Sequence, residues 1–246
     1  MTPPRTPWHD FPDVFIHAAE PVVKLHEHYA PAKSGNADAA AALVTATYSP
    51  SRTMALAQWM ARQGGQHPTL VSAHAYENEG VNAIPEALAD VLGRQLGWPV
   101  DGDILQVNVV AHTGADGWSR LARPAAFDGT VVHGASYVLV DDFVGMGGTL
   151  ANLKGHLESH GGHVLAAVAL TGKPHSAKLA VTSERLRELR AKHGHDLETW
   201  WQRKFGHAFD ALTESEARYL ARTADAHTIR DRIAAAEQTR DRSAGG

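Results

Sequence analysis

Hydrophobic residues fall along the chain in two kinds of pattern: short continuous runs, and stretches in which they recur every three or four positions. The runs are typical of buried strands, and the periodic stretches are typical of amphipathic helices. The predicted strands are "TLVSAHA" at 69–75, "DILQVNVVA" at 103–111, "YVLVDD" at 137–142 and "HVLAAVALTG" at 163–172. The predicted helices include "NAIPEALADVLGRQLG" at 82–97 and "GTLANLKGHLESHGG" at 148–162.

Strands that alternate with helices of about a dozen residues favour parallel βαβ units with right-handed crossovers. The predicted fold class is therefore α/β, an open and mainly parallel sheet with helices on both faces. After Pro174 the sequence becomes charged and amphipathic, which is typical of packed helices. We expect an N-terminal arm at 1–65, a core domain at 66–175 and a C-terminal helical extension at 176–246 that packs on the core.

Composition narrows the class of protein. Hydrophobic residues make up 43% of the chain and charged residues 20%, as in ordinary globular proteins. The net charge of -4 argues against a general nucleic-acid-coating role, and no apolar run is long enough to cross a bilayer. The start lacks the pattern of a signal peptide, and a chain without Cys has neither disulfides nor thiolate metal ligands. We therefore expect a cytoplasmic location.

The stretch "YVLVDDFVGMGGTL" at 137–150 places two acids at the end of a predicted strand. In a parallel sheet the carboxyl ends of the strands face the ligand crevice, so Asp141 and Asp142 should lie there. Adjacent carboxylates repel each other and need donors. The two hydroxyls of a ribose cis-diol match that need, and a divalent metal is the other common solution.

The glycine-rich loop directly after the acids adds a second chemical feature. Its glycines let backbone N–H groups turn inward, and Thr149 begins a helix whose amino end carries partial positive charge. Such a cradle binds phosphate, so the acids and the loop together describe a ribose 5-phosphate site. A P-loop would need a Lys before its Thr, and a dinucleotide fingerprint would carry its acid about 20 residues after the glycines. The remaining alternative is a tight turn with solvated acids.

The segment "VLVDDFVGMGGTL" resembles the signature of the type I phosphoribosyltransferases, in which an apolar strand, two acids and two apolar residues precede a Gly- and Thr-rich loop. Upstream, "VSAHAYENEGVNAIPEALADVLG" is similar to the strand, pyrophosphate loop and helix of that family. Both "EGVNAIPEALA" and "RLARPAAFDGTVVHGASYVLVDD" resemble the competence-protein (ComF-like) branch. The resemblance covers roughly residues 69–172 and implies the type I phosphoribosyltransferase fold, with a hood built from 1–65, the C-terminal extension or both.

The resemblance also implies roles for individual residues. Asp141 and Asp142 would hold the ribose hydroxyls of phosphoribosyl pyrophosphate and the Mg²⁺ ion that accompanies it, and with Arg120 they are the predicted catalytic residues. The 5′-phosphate would be bound by Gly145, Met146, Gly147, Gly148 and Thr149. The pyrophosphate would meet the loop Ala73, His74, Ala75 to Glu77, and also a mobile flap at 112–123 with Arg120 and Arg123 as its cations.

The implied reaction is displacement of pyrophosphate at the anomeric carbon of the ribose by a nitrogen of a nucleobase-like acceptor. Two departures from the family pattern matter. Met146 stands where Thr or Ser is usual, and Gly145 stands where the 6-oxopurine enzymes have an Asp that acts on the base. The second departure argues against hypoxanthine and guanine as acceptors.

The departures keep a second hypothesis open: a catalytically silent sensor or accessory protein, of the regulatory or DNA-uptake type, that binds a ribose-phosphate ligand. A third hypothesis is hydrolysis or phosphorolysis of a nucleotide at the same site. The expected partners are phosphoribosyl pyrophosphate or a nucleotide 5′-phosphate, together with a heterocyclic acceptor. No membrane or nucleic acid partner is expected, and homodimers are common among proteins that resemble this one.

Outside this site the patterns favour structural roles. His156 and His160 have the i, i+4 spacing of zinc ligands, but we expect them on the exposed end of a helix. The segment "ETWWQRKFGHAFDALT" at 198–213 spaces its aromatic residues like one buried helix face. Thr213 and Glu216 have the spacing of a capping box.

Overall fold

The structure, a computed structural model, describes residues 2–64, 67–73, 76–77, 80–108 and 116–243. Its strands are β1 (Phe15–Ala19), β2 (Thr69–Ser72), β3 (Tyr76–Glu77), β4 (Gly80–Val81), β5 (Val100–Asp101), β6 (Leu105–Gln106), β7 (Phe127–Asp128), β8 (Ser136–Val144) and β9 (His163–Gly172). Its helices are α1 (Glu20–Lys24), α2 (Tyr29–Lys33), α3 (Ala37–Thr47), α4 (Pro50–Arg62), α5 (Ile84–Leu96), α6 (Gly117–Ala122), α7 (Gly148–Ser159), α8 (Ser183–Phe205), α9 (Glu214–Ala221) and α10 (Ala226–Ser243). Over these ranges, no helix combines the length and the apolar character that a membrane span requires.

A five-stranded parallel sheet forms the centre of the protein, in the order β1-β9-β8-β2-β5. β8 and β9 lie inside the sheet, and their continuous apolar runs follow from burial on both faces. The predicted fold class, an open parallel sheet with helices on both faces, is confirmed. The pairs β3–β4 and β6–β7 form separate antiparallel ribbons.

Of the predicted strand at 103–111 the structure describes 103–108, where only Leu105–Gln106 forms a strand, and that strand lies outside the central sheet. The edge strand β5 ends at Asp101, whose side-chain oxygen accepts a hydrogen bond from the Asp103 backbone N–H at 2.8 Å. This local bond turns the chain away from the sheet. β6 then pairs with β7 in an antiparallel ribbon, so its apolar residues pack beside the sheet rather than within it.

The N-terminal region contributes a strand that the apolar pattern does not predict. β1 lies at the edge of the sheet and pairs with β9, with Phe15 opposite Val168 and Ala19 opposite Gly172. Its five residues have no clear alternation, so its position depends on the contact with β9. The sheet therefore draws on residues before 65, and the division of the chain at 65 and 175 otherwise stays a prediction.

Side chains alternate along β8 between the two faces of the sheet. Val138 and Val140 pack against α3, α4 and α5, whereas Tyr137 and Leu139 pack against α7. All four are at most 1% exposed, and burial of each such side chain stabilises the fold by about 1.5–3 kcal/mol. Because of the same alternation, the side chains of the two acids at the end of the strand project from opposite faces of the sheet.

The C-terminal extension has its own hydrophobic cluster, formed by α6, α8, α9 and α10. Trp201 and Phe205 of α8 are buried in it, as the predicted aromatic helix face requires, whereas Phe209 is buried beyond the end of that helix. The capping box of Thr213 and Glu216 at the start of α9 is also confirmed, with both reciprocal hydrogen bonds present. A short amphipathic helix is stabilised in this way at its amino end, where Thr213 also binds the Met146 carbonyl.

The N-terminal arm lies along α7. An ideal Cβ on Gly155 would lie 2.0 Å from the Pro4 backbone oxygen, so only glycine permits this approach. The Lys154 ammonium donates to Thr6 Oγ1 at 2.8 Å and to the Pro7 backbone oxygen at 2.9 Å. Trp8 is buried beneath the same ammonium, which lies 5.3 Å from its ring. The arm is therefore part of the packed structure.

Replacement of Gly155 by Ala is expected to lower the free energy of unfolding by about 1–3 kcal/mol, because the added methyl group must displace the arm. An Ala in place of Gly inside a helix normally stabilises by up to about 1 kcal/mol, so the opposite sign identifies the close contact. Gly102→Ala is the control, since nothing lies within 4 Å of a Cβ at that position. Urea unfolding measures both variants, and an unchanged or raised stability of Gly155→Ala would contradict the docking of the arm.

Candidate functional site

The carboxyl ends of the central strands open into a cavity of about 380 Å³, the place at which a parallel sheet binds ligands. The predicted site residues that line it are Ala73, Arg120, Asp141, Asp142, Gly145, Met146, Gly147, Gly148 and Thr149. His74, Ala75 and the first part of the predicted flap, 112–115, lie outside the described residues. The fold thus brings the described members of the set together, and the role of each one stays a prediction.

The two adjacent acids have different surroundings because they alternate at the end of β8. Asp142 continues the face of Val140, where the Lys33 ammonium of α2 lies 3.1 Å from its Oδ2. Asp141 continues the opposite face, and its Oδ1 accepts a hydrogen bond from the Asp142 backbone N–H at 2.8 Å. One acid therefore has a cation beside it, and the other has a backbone donor.

Burial raises the pKa of the Asp141 carboxyl well above its ordinary value of 3.8, and the adjacent charge of Asp142 raises this pKa further. The backbone N–H of Asp142 and the Lys33 ammonium act in the opposite direction and are weaker. The ionised form of Asp141 thus has too few donors in the protein alone. A ligand with hydroxyl groups, or a cation, would supply them.

The loop after β8 reaches α7 through two closely surrounded glycines. Gly147 has a φ of +81°, in the left-handed region that favours glycine, and a Cβ there would lie 2.5 Å from Leu179 Cδ2. A Cβ on Gly148 would lie 2.8 Å from Glu216 Oε1. Gly147 is also the N-cap of α7 and has no side chain to cap it. The first backbone N–H groups of α7 therefore remain for an anion, which the helix dipole also favours.

Residues of the N-terminal arm and of the start of α9 support this loop. The Thr213 hydroxyl donates to the Met146 backbone oxygen at 2.5 Å. Arg5 of the arm makes a bidentate ion pair with Glu216 of α9, with N···O distances of 2.6 and 3.0 Å. The two side chains are 6% and 3% exposed, so neither charge is left alone in the interior. Arg5 thereby compensates a carboxylate that lies beside the predicted phosphate loop.

The described part of the predicted flap is a helix that is docked on the C-terminal extension. Trp118 and Leu121 of α6 are buried in the C-terminal cluster. Arg120 lies between them and lines the cavity. Arg123 also lines the cavity, and its Nη2 donates to the Ala236 backbone oxygen at 3.0 Å. The two predicted cations are thus positioned by packing on α9 and α10.

The polar residues of the cavity that sequence reasoning missed include Lys33, Gln106 and Asn152. Gln106 is 1% exposed, and its side-chain oxygen has no hydrogen-bond partner among the described residues. Asn152 is also 1% exposed: its oxygen accepts from Arg5 Nε at 2.6 Å, but its Nδ2 has no partner in the same part of the chain. A ligand can therefore meet one unused acceptor and one unused donor. Of these residues only Asn152 had a recognisable position in the sequence, because it lies one turn into the helix that follows the glycine loop.

The predicted exposed position of the helix-end histidines is wrong for His156, which is 5% exposed. Burial lowers its pKa, and the nearby His160, with a ring centroid 4.6 Å away, lowers this pKa further. The helix packs on the ribbon side of the protein and covers His156, an effect of tertiary packing that the helical period does not reveal. Among the described residues, no group of three or more His, Cys, Asp or Glu could hold a metal ion.

The donors at the end of β8 fit Mg²⁺ when a ligand completes the coordination. Mg²⁺ is usually bound through one or two carboxylates together with substrate phosphates and waters, rather than by a cage of protein ligands. Asp141 and Asp142 provide such carboxylates at the edge of one cavity. The raised pKa of Asp141 shows that a cation there would also relieve an unfavourable burial.

The comparison with known sequences gives relatives but no family model, since none matches the chain. "Protein TraN" of Escherichia coli is 39% identical over 232 residues, which are 94% of this chain and 51% of that protein. An "Uncharacterized protein" of Haemophilus influenzae is 38% identical over 154 residues, which are 62% of this chain and 34% of that protein. The chain thus spans about half or less of the length of these curated relatives.

The solved structures similar to this chain include phosphoribosyltransferases. One adenine phosphoribosyltransferase is 13% identical with a TM-score of 0.33, and the match covers 50% of this chain and 67% of that one. The adenine phosphoribosyltransferase of Leishmania donovani is 16% identical with a TM-score of 0.33, and the match covers 68% of this chain and 69% of that one. Function therefore has to be inferred from the geometry of the site.

Asp141→Asn is expected to raise the free energy of unfolding at neutral pH, because the variant no longer has a buried carboxyl that must ionise in the folded protein. Between pH 3.8 and the raised folded-state pKa, folded Asp141 holds a proton that the unfolded chain releases, so wild-type stability falls as the pH rises. The advantage of the variant should therefore grow above pH 3.8 and then level off. Urea unfolding at several pH values measures it.

Asp142→Asn is the matched control for this prediction. It removes the charge that repels Asp141, but it also removes the carboxylate that pairs with Lys33, so its gain should be smaller. An Asp141→Asn variant that is no more stable than wild type at neutral pH would contradict the burial of an uncompensated charge.

Proposed function

We propose that the chain is a phosphoribosyltransferase that binds phosphoribosyl pyrophosphate with Mg²⁺ and transfers ribose 5-phosphate to a nitrogen heterocycle with release of pyrophosphate. The observation that carries the proposal is that Asp141 and Asp142, both buried, share one cavity with the open amino end of α7. A sugar diol would supply donors to the acids, and a phosphate on the same sugar would supply the anion for the helix. Ribose 5-phosphate combines the two.

The hydroxyl groups of the ribose would compensate the buried charge of Asp141. Hydroxyl groups that donate to a carboxylate stabilise its ionised form, so the diol would lower the raised pKa of Asp141. Each hydrogen bond to a charged group contributes about 1.5–3 kcal/mol. Lys33 pairs with Asp142 and holds its carboxylate in place beside Asp141. The site is thus arranged to bind two hydroxyl groups through two carboxylates with different surroundings.

The phosphate end of the ligand would bind at the loop from Gly145 to Thr149. The first turn of α7 offers backbone N–H groups, and the Thr149 side chain adds a hydroxyl. Asn152, whose Nδ2 group has no partner among the described residues, lies one turn further and also lines the cavity. These neutral donors surround an anion, while the nearby Glu216 carboxylate is compensated by Arg5.

The pyrophosphate end would meet the cations of the cavity, which include Arg120 and Arg123. Mg²⁺, held by Asp141 and Asp142 with the oxygens of the substrate, would neutralise charge on the leaving group. A ring nitrogen of the acceptor gives its lone pair to the anomeric carbon, and the bond from that carbon to the pyrophosphate oxygen breaks. An acceptor with an N–H passes that proton to the released pyrophosphate, whereas a pyridine-type nitrogen has no proton to lose and keeps the positive charge. Positive charge develops on the ribose in this step, and the two buried carboxylates stabilise it.

A second candidate function is binding of the same ligand without transfer, as in a sensor or accessory protein. The observation that favours it is the environment of Met146, whose side chain packs in the C-terminal cluster and whose carbonyl is bound by Thr213. Met146 thus has a packing contact at the position where the resembled family has a hydroxyl in the loop. The curated relatives are longer than this chain, so the activity of the whole protein also belongs to this proposal.

Titration calorimetry with phosphoribosyl pyrophosphate and Mg²⁺ should give a binding heat that the double variant Asp141→Asn/Asp142→Asn loses. Two missing charge-assisted hydrogen bonds are expected to weaken binding by about a hundredfold or more. The matched control is Glu86→Gln/Asp90→Asn, which removes two exposed charges on α5 and should bind like wild type. Equal affinities of wild type and the Asp141→Asn/Asp142→Asn variant for phosphoribosyl pyrophosphate would contradict the proposal.

Pyrophosphate release separates the enzyme from the silent binder. With phosphoribosyl pyrophosphate and Mg²⁺ present, the full chain is tested against purines, pyrimidines and pyridine carboxylates, each at saturating concentration. The enzyme proposal expects release that depends on one acceptor and that the Asp141→Asn/Asp142→Asn variant lacks. Tight binding with no release above the variant's background, for every acceptor, would establish the second candidate instead.

A further inference from the structure

A second cavity of about 330 Å³ lies directly beside the first. The two cavities share part of their walls, including Arg120, Phe143, Gly145 and Met146, so they meet at the glycine loop. The second cavity is closed on its other side by α9 and by the turn that follows β9, at Lys173 to Ser176. A molecule in the second cavity would therefore lie next to the ribose that the proposed function places in the first.

The second cavity is strongly cationic although the chain as a whole has a net charge of -4. Its cations are Lys24, Arg120, Lys173, Arg218 and Arg222, and its single acid is Glu20. Glu20 pairs with Lys24 at 2.6 Å. Within the described residues, Lys173, Arg218 and Arg222 have no carboxylate at ion-pair distance. Glu20 also interacts electrostatically with Lys173, so this one carboxylate faces several cations and the lining carries an excess of positive charge.

Ser176 gives a second and independent indication of a ligand. It lines the second cavity, is 2% exposed, and its hydroxyl has no hydrogen-bond partner among the described residues. A buried hydroxyl without a partner is unfavourable, and native structures rarely keep one. The oxygen is enclosed in the present rotamer, and rotation of the side chain toward the cavity would let the hydroxyl donate to an anionic oxygen there.

The walls of the second cavity also contain two aromatic rings. The Tyr219 ring packs against Trp118 at an interplanar angle of 55°, with centroids 4.9 Å apart, and lies against Gly117, where an ideal Cβ would be only 2.5 Å from it. Phe143 lines both cavities and has the Lys24 ammonium 4.1 Å from its ring centroid. The orientation of Tyr219 is therefore fixed, and the cavity offers flat apolar surface together with positive charge.

We propose that the second cavity binds the acceptor, and that the acceptor is an aromatic nitrogen heterocycle that carries a carboxylate. The ring would lie against the aromatic walls, and the carboxylate would take hydrogen bonds from Ser176 and charge from Lys173 and Arg218. The guanidinium of Arg218 has the planar fork that matches a carboxylate. This inference rests on the proposed function for the reaction of the ring, but the binding of the acid can be measured without it.

The test compares a carboxylate with its neutral isostere on the full chain. Pyridine-3-carboxylate and pyridine-3-carboxamide have the same ring and nearly the same shape, and calorimetry without phosphoribosyl pyrophosphate measures both. The carboxylate is expected to bind about tenfold tighter or more, and its advantage should shrink at high salt. Pyridine-2,3-dicarboxylate extends the series. Equal affinity of the acid and the amide, or no binding of any acid, would overturn the inference.

Two pairs of variants locate the site. Lys173→Gln and Arg218→Gln are each expected to weaken binding of the acid by about tenfold, since each removes one charge-assisted contact. Their controls, Lys178→Gln and Arg187→Gln, remove exposed cations outside the cavity and should bind like wild type. If all four variants lost affinity for the acid to the same extent, the effect would come from net charge alone, and the proposed site would be overturned.

Ser176→Ala separates a ligand contact from a structural role. Because the hydroxyl has no partner in the described protein, its removal should leave the thermal midpoint unchanged or raise it, while acid binding weakens several-fold. A fall in the midpoint without loss of acid binding would show that the hydroxyl is structural and contradict its role here.

Failure of this inference is distinguishable from failure of the proposed function. Binding of phosphoribosyl pyrophosphate without any preference for acids would overturn the anionic acceptor and retain the ribose 5-phosphate site. Binding of acids that depends on Lys173 and Arg218, without binding of phosphoribosyl pyrophosphate, would support the anion site and overturn the proposed function.

Discussion

The buried carboxylate of Asp141 is the constraint on which the rest of the site depends. β8 stays paired with β9 through Asp141 and on to Val144, so the backbone cannot move to expose the acid. Alternation along the strand sends Asp142 toward Lys33 and leaves Asp141 with a backbone donor as its main support. The charge of Asp141 therefore has to be compensated by whatever enters the cavity. A requirement for hydroxyl donors or a cation follows from the register of one strand.

The glycine loop is the second fixed part of the site, and both ends of the chain contribute to it. Arg5 and Glu216 are 211 residues apart in sequence, yet their ion pair lies directly behind Gly148. The same Arg5 binds the Asn152 side chain, and Thr213 holds the Met146 carbonyl. An anion bound at the amino end of α7 would therefore lie on a surface that the arm and the C-terminal extension support together. A rigid support of this kind keeps the donors oriented before the ligand arrives.

The sequence was sufficient for those parts of the structure that local patterns determine. The strand, acids, glycine loop and helix at 136–159 are contiguous, and the alternation of β8 with the glycines defines their geometry. Lys33, Arg5 and Gln106 were not predicted, because each reaches the site through tertiary packing of an element that has no chemical pattern of its own. The error at 103–111 has a similar cause: an apolar run shows that a segment is buried, but not which strand it will pair with.

Gly145 lies where the two cavities meet, and its surroundings suggest why it differs from the family that the loop resembles. An ideal Cβ there would lie 3.2 Å from Phe143 Cε1 and 3.3 Å from Arg120 Nη1, so a longer side chain would enter the passage between the cavities. The Asp that the 6-oxopurine enzymes have at this position would also place a carboxylate beside Arg120 and offset its charge. Glycine leaves the passage open and adds no carboxylate beside the cations that face it. The departure is thus consistent with a change in the charge of the acceptor and does not require that transfer has been lost.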